Sequence, residues 1–308
     1  MNFFDLHCDT LYRALDENRT LNEPDFHLSV NRGKMFDRWV QAMAIWISDT
    51  QRGTAAVETF KNAYKKLQEA AQADGSIVLL NSVTEPPACA GRFTFLFTVE
   101  NCAALGGDLN NAELFYQCGV KIATLTWNGE NELGGGADTQ AGITGFGRKV
   151  VKCFEEKGIL CDVSHASDRL FYDVMEICKK PVLATHSNSR SVTNHRRNIT
   201  DEQFTAVRNT GGLVGLNFCR EFLNEDKLRA SMTDIVKHAE HFLALGGEDT
   251  LCVGSDFDGT DMPLGISGIE SITELYELFL KYYSEDITKK IFFDNAYKLI
   301  INDTAAGA

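Results

Sequence analysis

Two residues that commonly bind metal ions, His7 and Asp9, follow a short apolar stretch at the start of the chain. In an extended chain, residues two positions apart project from the same face, so this imidazole and this carboxylate can converge on one ion. The alternative is a buried histidine followed by an aspartate that caps a helix beginning at Thr10. The spacing alone leaves both interpretations open.

Four further residues with metal-binding or acid-base side chains follow predicted strands later in the chain. They are Glu100, His165, His186 and Asp256, each placed directly after a short apolar run. The carboxyl ends of parallel barrel strands share one rim, where active sites are built. Five strands that each end in such a residue are hard to attribute to packing, so we expect a metal site at this rim.

The number of candidate ligands indicates two metal ions. Three histidines with two or three carboxylates exceed what one tetrahedral zinc ion with an open position requires. The division that we expect places His7 and Asp9 on one ion, His165 and His186 on the other, and Glu100 between them. Imidazole and carboxylate together favour zinc, although manganese or cobalt can occupy such a site.

The predicted elements that must position these residues alternate along the chain between strands and helices. Near-continuous apolar strands separated by helices indicate parallel βα units, and eight of them predict a (β/α)₈ barrel forming a single domain over residues 1–308. A doubly wound open sheet remains the alternative, because periodicity does not show closure. The predicted strands are Asn2–Leu6, Val40–Ile47, Phe93–Val99, Lys121–Thr126, Ile159–Val163, Val182–Thr185, Gly212–Asn217 and Leu251–Gly254. The predicted helices are Ala55–Ala73, Asn111–Cys118, Gly147–Lys157, Asp168–Lys179, Asp201–Asn209, Thr233–Leu245, Ile272–Lys281 and Ile287–Ile301.

Composition favours a cytoplasmic protein that acts on small molecules or peptides. The 308 residues carry a formal net charge of −13 that is spread along the chain, which argues against nucleic-acid or anionic-membrane partners. The sequence contains neither a secretory leader pattern nor an apolar run long enough to cross a membrane. The nine cysteines are odd in number and scattered, so we expect reduced thiols rather than a disulfide framework.

Taken together, the motifs resemble those of the renal (membrane) dipeptidase family of metallopeptidases, within the amidohydrolase superfamily. The resemblance runs through most of the chain. It rests on residues 5–10 (DLHCDT), 99–101 (VEN), 146–147 (FG), 162–167 (DVSHAS), 185–188 (THSN), 196–198 (RRN) and 254–259 (GSDFDG). It implies a barrel with two zinc ions per chain, held by His7, Asp9, Glu100, His165 and His186.

The resemblance also implies a reaction and roles for further residues. A hydroxide bridging the two metal ions would attack the peptide bond of a dipeptide, including one with a D- or unusual C-terminal residue. Asp256 would relay the proton to the departing amine, and Arg197 would bind the substrate carboxylate. Relatives are commonly dimers, so a homodimer is expected by analogy.

One departure from the family pattern concerns Trp127, which stands where better-studied members have a substrate-contacting histidine after the fourth strand. An indole offers one donor and does not titrate near neutral pH, so support for the developing oxyanion should be weaker or differently aimed. This difference keeps open another amidohydrolase reaction, such as N-acyl amino acid deacylation or lactone opening. A metal-stabilised barrel without activity is a third hypothesis.

Two other patterns have alternative interpretations. Residues 256–260 (DFDGT) match the nucleophile signature of haloacid-dehalogenase-type phosphatases, but that motif stands early in its family. Asp258 is therefore expected to be a turn or supporting carboxylate. The remaining histidines do not follow strands and are interpreted as surface or hydrogen-bonded residues, although His195 is close enough to Arg197 to line the pocket.

Overall fold

The computed structural model describes residues 1–80 and 93–302, with the side chain of residue 302 excluded. Its strands form one sheet in which every pairing is parallel, in the order β6-β5-β4-β2-β1-β8-β7, with β3 pairing β4. The strands are β1 (Asn2–Cys8), β2 (Arg38–Trp46), β3 (Ile77–Leu79), β4 (Phe93–Glu100), β5 (Ile122–Thr124), β6 (Leu160–Asp162), β7 (Val214–Leu216) and β8 (Leu251–Val253).

The sheet closes through the segment predicted as the strand Val182–Thr185. This segment forms two isolated parallel bridges instead of a regular strand, one from Leu183 to Asp162 of β6 and one from Ala184 to Val214 of β7. Its ladder ends early because the backbone amide of Thr185 donates to the side chain of Asp162. The (β/α)₈ barrel is therefore confirmed, the open-sheet alternative is wrong, and this strand is shorter than predicted.

The strand β3, three residues long, was not among the predicted strands. Its partners are Phe93 to Phe95 at the beginning of β4, whereas β5 pairs with the end of the same strand, from Thr98 to Glu100. The two short strands thus share one edge of β4. Only β5 reaches the rim where Glu100 lies.

The helices lie between the strands as predicted, with several short additions. They are α1 (Thr10–Asp16), α2 (Val30–Gly33), α3 (Gly53–Ala73), α4 (Asn111–Gln117), α5 (Gly145–Lys157), α6 (Asp168–Ile177), α7 (Asp201–Asn209), α8 (Arg220–Leu223), α9 (Met232–Ala244), α10 (Ile272–Tyr282), α11 (Glu285–Lys289) and α12 (Asn295–Tyr297). Short 3₁₀ segments cover Cys102–Leu105 and Ile269–Ser271, and π-helical segments Lys290–Asp294 and Lys298–Asn302 extend the last helix. The predicted helices do not include α1, α2 and α8, which are at most seven residues long, although α1 begins at Thr10, where the alternative interpretation of Asp9 placed a helix.

Alternation along the strands divides the core into two layers. In β4, Phe93, Phe95 and Phe97 pack beneath the helices, and Leu96 belongs to a separate cluster inside the barrel. The C-terminal helical segment supplies Phe293 and further apolar residues to the inner cluster and so covers one end of the barrel. The other end, formed by the carboxyl ends of the strands, is left for polar side chains.

Two of the expectations from composition can be compared with the structure. No helix within residues 1–80 and 93–302 is long and apolar enough to cross a membrane. All eight cysteines in these ranges are free thiols, and Cys89 lies outside them.

Candidate metal centre and active site

The structure brings the six predicted ligand and acid-base residues together at the carboxyl rim. His7, Asp9, Glu100, His165, His186 and Asp256 are all buried or nearly so. Two groups of three have donor atoms that all lie within 4.8 Å of one another: His7 with Glu100 and His186, and His7 with Asp9 and Asp256. Residues up to about 250 positions apart in sequence therefore meet because each ends a strand of one barrel.

A bulge in β1 turns His7 toward this rim. Asp5 and Cys8 are three residues apart, but their partners in β2 are only two apart, so β1 carries one extra residue. Leu6 lies inside the barrel, and strict alternation would place Cys8 there too. Instead, Cys8 packs outside against Met43, with 3.5 Å between the sulfur atoms, and His7 faces the site.

Asp9 occupies the position before the first turn of α1 but does not cap it. Its side chain makes no capping hydrogen bond. Its Oδ2 lies 3.3 Å from His7 Nε2, and its Oδ1 is buried without a hydrogen-bond partner among the described residues. The interpretation of Asp9 as a helix cap is therefore wrong.

The two oxygens of Glu100 face different histidines. Oε1 lies 2.8 Å from His165 Nε2 and 3.7 Å from His186 Nε2, whereas Oε2 lies 3.8 Å from His7 Nε2. A carboxylate that presents one oxygen to each of two donor groups has the geometry of a bridging ligand.

The hydrogen bonds behind His186 fix which of its nitrogens carries a proton. The hydroxyl of Thr185 donates its single proton to Asp162 Oδ2, at 2.6 Å, so its oxygen is free to accept. That oxygen lies 2.9 Å from His186 Nδ1, which places the imidazole proton on Nδ1. Nε2 of the neutral ring then directs a lone pair into the site.

His165 is oriented in a similar way from the loop after β5. Its Nδ1 lies 2.8 Å from Asn128 Oδ1, an acceptor, so Nδ1 carries the proton and Nε2 carries a lone pair. The residue adopts a positive φ of 65°, a conformation that side chains other than glycine rarely adopt and that is often found at functional sites.

The arrangement of these donors suits a positive charge between them. The Nε2 atoms of His165 and His186 are only 3.0 Å apart, and Glu100 Oε1 lies against the first. With both imidazole protons on the opposite side of the rings, the two Nε2 lone pairs face each other and Glu100, and a bound cation would relieve their repulsion. The donor set of imidazole and carboxylate is one that zinc accepts.

Electrostatics distinguish the two sides of the site. Burial, reinforced by the positive charges of Arg197 and His7, holds the pKa of His165 well below its ordinary value. Burial and the positive charge of His7 also hold the pKa of His186 well below its ordinary value. For His7, burial opposes protonation, but the carboxylates of Asp9, Glu100 and Asp256 together outweigh it, and the pKa rises to about 10. Burial and the charge of Asp9 raise the pKa of Glu100. A cation bound beside His7 and Asp9 would therefore displace a proton.

Asp256 follows β8 and is held at the edge of this group. Its backbone has a positive φ of 62°, and Asn217 Nδ2 donates to its Oδ2 at 2.9 Å. Burial and the charge of Asp9 raise the pKa of Asp256 to about 6. Gly259 allows the loop after β8 to pass close to the carboxylates of Asp9 and Asp256. A Cβ at this position would lie 2.0 Å from Asp9 Oδ2 and 2.6 Å from Asp256 Oδ1.

Arg197 approaches the site from the loop that follows His186. Its side chain is buried, and its Nε and Nη2 have no hydrogen-bond partner among the described residues. Arg196 is exposed and pairs with Asp138 at 2.8 Å. Of the two arginines, Arg197 is thus the one with unused donors. It lines a cavity of about 470 Å³, and the other lining residues include Asp9, Glu100, Trp127, His165, His195, Arg196 and Asp256.

Asp258 belongs to a separate structural network. It accepts hydrogen bonds from Thr10 Oγ1 at 2.6 Å, from Arg13 at 3.0 Å and from the amides of His27 and Leu28. Its carboxylate is therefore engaged in holding the loop after β8, as expected for a supporting residue.

Sequence reasoning missed the residues that hold the site from behind. A signal was present for Asp5 and Asp162, because each stands two or three positions before a predicted histidine ligand, but no pattern showed which contacts they make. They are Asp5, Asn128, Asp162, Thr185, Asn217 and Gly259.

Comparisons with known proteins agree with this geometry. Residues 1–306 match the model of the membrane dipeptidase family, peptidase family M19. An uncharacterized protein of the pqqA 5′ region of Klebsiella pneumoniae is 31% identical over 66% of this chain and 80% of its own length. An uncharacterized dipeptidase of Schizosaccharomyces pombe is 28% identical over 62% of this chain and 47% of its own length.

Two solved structures are similar over nearly the whole barrel. A dipeptidase of family M19 superposes with a TM-score of 0.87 at 26% identity, covering 97% of this chain and 98% of that one. A metallopeptidase from Rhodobacter sphaeroides, solved with a phosphinate mimic of the dipeptide L-Ala-D-Ala, gives a TM-score of 0.86 at 26% identity, with coverage of 97% and 98%. The fold and the match over the whole sequence lead to one conclusion: this chain belongs to the membrane dipeptidase family, peptidase family M19.

Proposed function

We propose that this protein is a dipeptidase that hydrolyses its substrate at a centre of two metal ions. The observation that carries the proposal is the position of Glu100, whose two oxygens face separate imidazole groups. His7 and Asp9 would hold one ion, His165 and His186 the other. Bound metal ions would supply an activated water and polarise the peptide carbonyl.

Asp256 is proposed as the group that moves the proton. It lies beside the ligand residues, and Asn217 occupies one of its oxygens, which fixes the orientation of the carboxylate. The other oxygen, Oδ1, lies close to Gly259, and Asp256 is one of the residues that line the cavity. From this position the carboxylate can take a proton from the attacking water and deliver it to the leaving amine.

Arg197 is proposed to bind the carboxylate of the substrate. A buried guanidinium with two unpartnered nitrogens is costly unless an anion pairs with it, and a planar carboxylate matches its geometry. The M19 relative from Rhodobacter sphaeroides, whose bound ligand mimics L-Ala-D-Ala, supports a dipeptide with a free carboxylate. We extend this substrate class, including D-residues at the C-terminus, to the present chain.

The test combines metal content with turnover. Purified protein should bind two zinc ions per chain and release amino acids from a panel of L,L and L,D dipeptides. Asp256→Asn should keep both ions and lower kcat by about 10² to 10⁴. Asp261→Asn, an exposed acid in the same loop, is the control and should change little. No hydrolysis across the panel would show that the proposed function is wrong.

Trp127 favours one alternative, the hydrolysis of N-acyl amino acids or lactones. Its indole lies beside His165, with 6.1 Å between ring centroids, and lines the cavity where better-studied family members have a substrate-contacting histidine. A higher kcat/KM on N-acyl amino acids than on every dipeptide would support this alternative. Zinc as the physiological metal, a homodimer and a cytoplasmic location remain predictions.

A further inference from the structure

Three aromatic side chains form a continuous wall along one side of the cavity. The ring centroids of Tyr12 and Trp46 are 5.0 Å apart, and those of Trp46 and Trp127 are 4.9 Å apart, both in edge-to-face contact. All three line the cavity, which Asp9, Glu100 and His165 of the metal site also line. We call Tyr12, Trp46 and Trp127 the aromatic wall.

The aromatic wall and Arg197 come from opposite halves of the barrel. Tyr12 follows β1, Trp46 ends β2 and Trp127 follows β5, so the wall belongs to the half formed by β1, β2, β4 and β5. Arg197 follows segment 182–185 and lies over the ring of Phe222, at 5.4 Å, on the β7 side. The metal-site donors lie at the rim between them.

This arrangement orients a dipeptide. If Arg197 holds the C-terminal carboxylate and the scissile carbonyl lies over the metal-site donors, the N-terminal residue extends away from Arg197 and toward the aromatic wall. We propose that Trp46 and Trp127 are specificity-determining residues that select dipeptides with a large apolar or aromatic N-terminal side chain. This inference rests on the proposed dipeptidase function and names its substrate class.

The charges around the cavity favour an apolar side chain over a cationic one. The acidic residues near its mouth already have partners: Asp138 pairs with Arg196 at 2.8 Å, and Glu221 with Lys227 at 2.5 Å. The aromatic wall offers the faces and edges of its rings. A side chain that binds there gains free energy mainly because apolar surface is removed from water.

The experiment compares two substrate series. In the first, the N-terminal residue changes from Gly to Ala, Leu and Phe before a fixed C-terminal Ala; in the second, the same residues vary at the C-terminus. The wild-type kcat/KM should rise by at least about tenfold across the first series and less across the second. Trp127→Ala and Trp46→Ala should remove this rise, whereas Trp127→Phe should keep most of it.

A binding measurement separates this inference from the proposed function. Two of the three tryptophans belong to the wall, and the third, Trp39, is buried in the core, so intrinsic fluorescence reports on the cavity. With Asp256→Asn, Phe-Ala should perturb the fluorescence at concentrations at least about tenfold lower than Gly-Ala does, and Trp127→Ala should abolish the difference.

The possible outcomes are distinct. Hydrolysis that is equally fast across the first series, or equal binding of Phe-Ala and Gly-Ala, would overturn the role of the wall and leave the dipeptidase proposal standing. Absence of hydrolysis together with selective binding of Phe-Ala would overturn the dipeptidase function and support the wall as a binding surface for large N-terminal side chains.

Discussion

Asp5 and Asp162 make the same set of hydrogen bonds at two separate places on the barrel. Each accepts, through Oδ1, a hydrogen bond from the backbone amide two residues later: that of His7 to Asp5, at 3.3 Å, and that of Ser164 to Asp162, at 2.9 Å. Asp5 also accepts the amide and the hydroxyl of Ser255, at 2.8 and 2.6 Å. Asp162 accepts the amide and the hydroxyl of Thr185, at 2.9 and 2.6 Å.

In both cases the clamped hydroxyl residue directly precedes a residue of the site. Asp256 follows Ser255, and His186 follows Thr185. Two hydrogen bonds to one residue fix both its backbone and its side chain, so the next residue leaves the strand in a defined direction. We infer that Asp5 and Asp162 are positioning residues, in line with the general importance of groups behind the ligands of metal sites.

The first prediction tests the link from Asp162 through Thr185 to His186. Thr185→Val removes the hydroxyl that accepts from His186 Nδ1, so the tautomer with a lone pair on Nε2 is no longer favoured. We expect metal affinity to fall by about 10- to 100-fold, measured by competition with a chelator.

Thr124 offers a matched control for this variant. Its buried hydroxyl donates to the same oxygen of Asp162, also at 2.6 Å, but the structure records no hydrogen bond between Thr124 and the histidine. Thr124→Val should therefore keep metal affinity close to that of the wild type. An equal loss of affinity in both variants would indicate general damage to the barrel and contradict the role of Thr185 as a positioning residue.

Much of the barrel was predictable from the sequence because apolar runs indicate strands. Metal-binding and acid-base residues directly after these runs indicate the carboxyl rim of the barrel. The identity of the rim residues His165, His186 and Asp256 followed from this pattern. Their distances did not, because these depend on irregularities that periodicity does not encode. One example is the bulge in β1, which places the side chain of Cys8 outside the barrel and turns the side chain of His7 toward the site.

The aromatic wall shows a second limit of sequence reasoning. Tyr12 lies in a helix that was not among the predicted helices, and Trp46 lies in a predicted strand, where an aromatic residue is common. Nothing local indicates that these side chains meet Trp127. Their contact arises only when β1, β2 and β5 lie in the same half of a closed barrel.

The second prediction concerns recognition of the substrate carboxylate. Arg197→Lys removes the planar donor pair, so KM for dipeptides should rise by about 10- to 100-fold, since hydrogen bonds to charged groups contribute about 1.5–3 kcal/mol. Dipeptide amides, which lack the carboxylate, should be poor substrates of the wild type, and the substitution should change their KM little.

Arg196→Ala is the control, because Arg196 is exposed and paired with Asp138. A larger change in KM for Arg196→Ala than for Arg197→Lys would reverse the assignment.

The third prediction uses the close approach of Gly259. An added Cβ would lie 2.0 Å from Asp9 Oδ2, so Gly259→Ala must displace either the loop or the ligand. We expect metal content to fall below two ions per chain, with a smaller loss in the melting temperature. Gly75→Ala is the control, because a Cβ there meets nothing within 4 Å. Retention of two tightly bound ions by Gly259→Ala would show that Asp9 is not needed in its observed position.

The last prediction concerns stability below neutral pH. His238 is fully buried, and its Nδ1 accepts the amide of Ser189 at 3.1 Å while its Nε2 lies 3.1 Å from the carbonyl oxygen of Leu223. Burial lowers the pKa of His238 to about 4, against an unfolded value of 6.5. Above pH 6.5 both states are neutral and its contribution to stability is complete.

Between pH 6.5 and about 4, the unfolded state binds a proton at His238 that the folded state does not. The free energy of unfolding should therefore decrease as the pH falls, by up to about 1.4 kcal/mol per pH unit from this residue. His238→Gln removes this titration, so the stability advantage of the wild type, measured by urea unfolding with excess metal, should shrink between pH 7 and pH 5. His241→Gln, at a partly exposed position paired with Asp201, is the control. A difference between wild type and His238→Gln that stays constant over this range would show that His238 takes up a proton equally in the folded and unfolded states, in conflict with a ring whose Nδ1 accepts a backbone hydrogen bond.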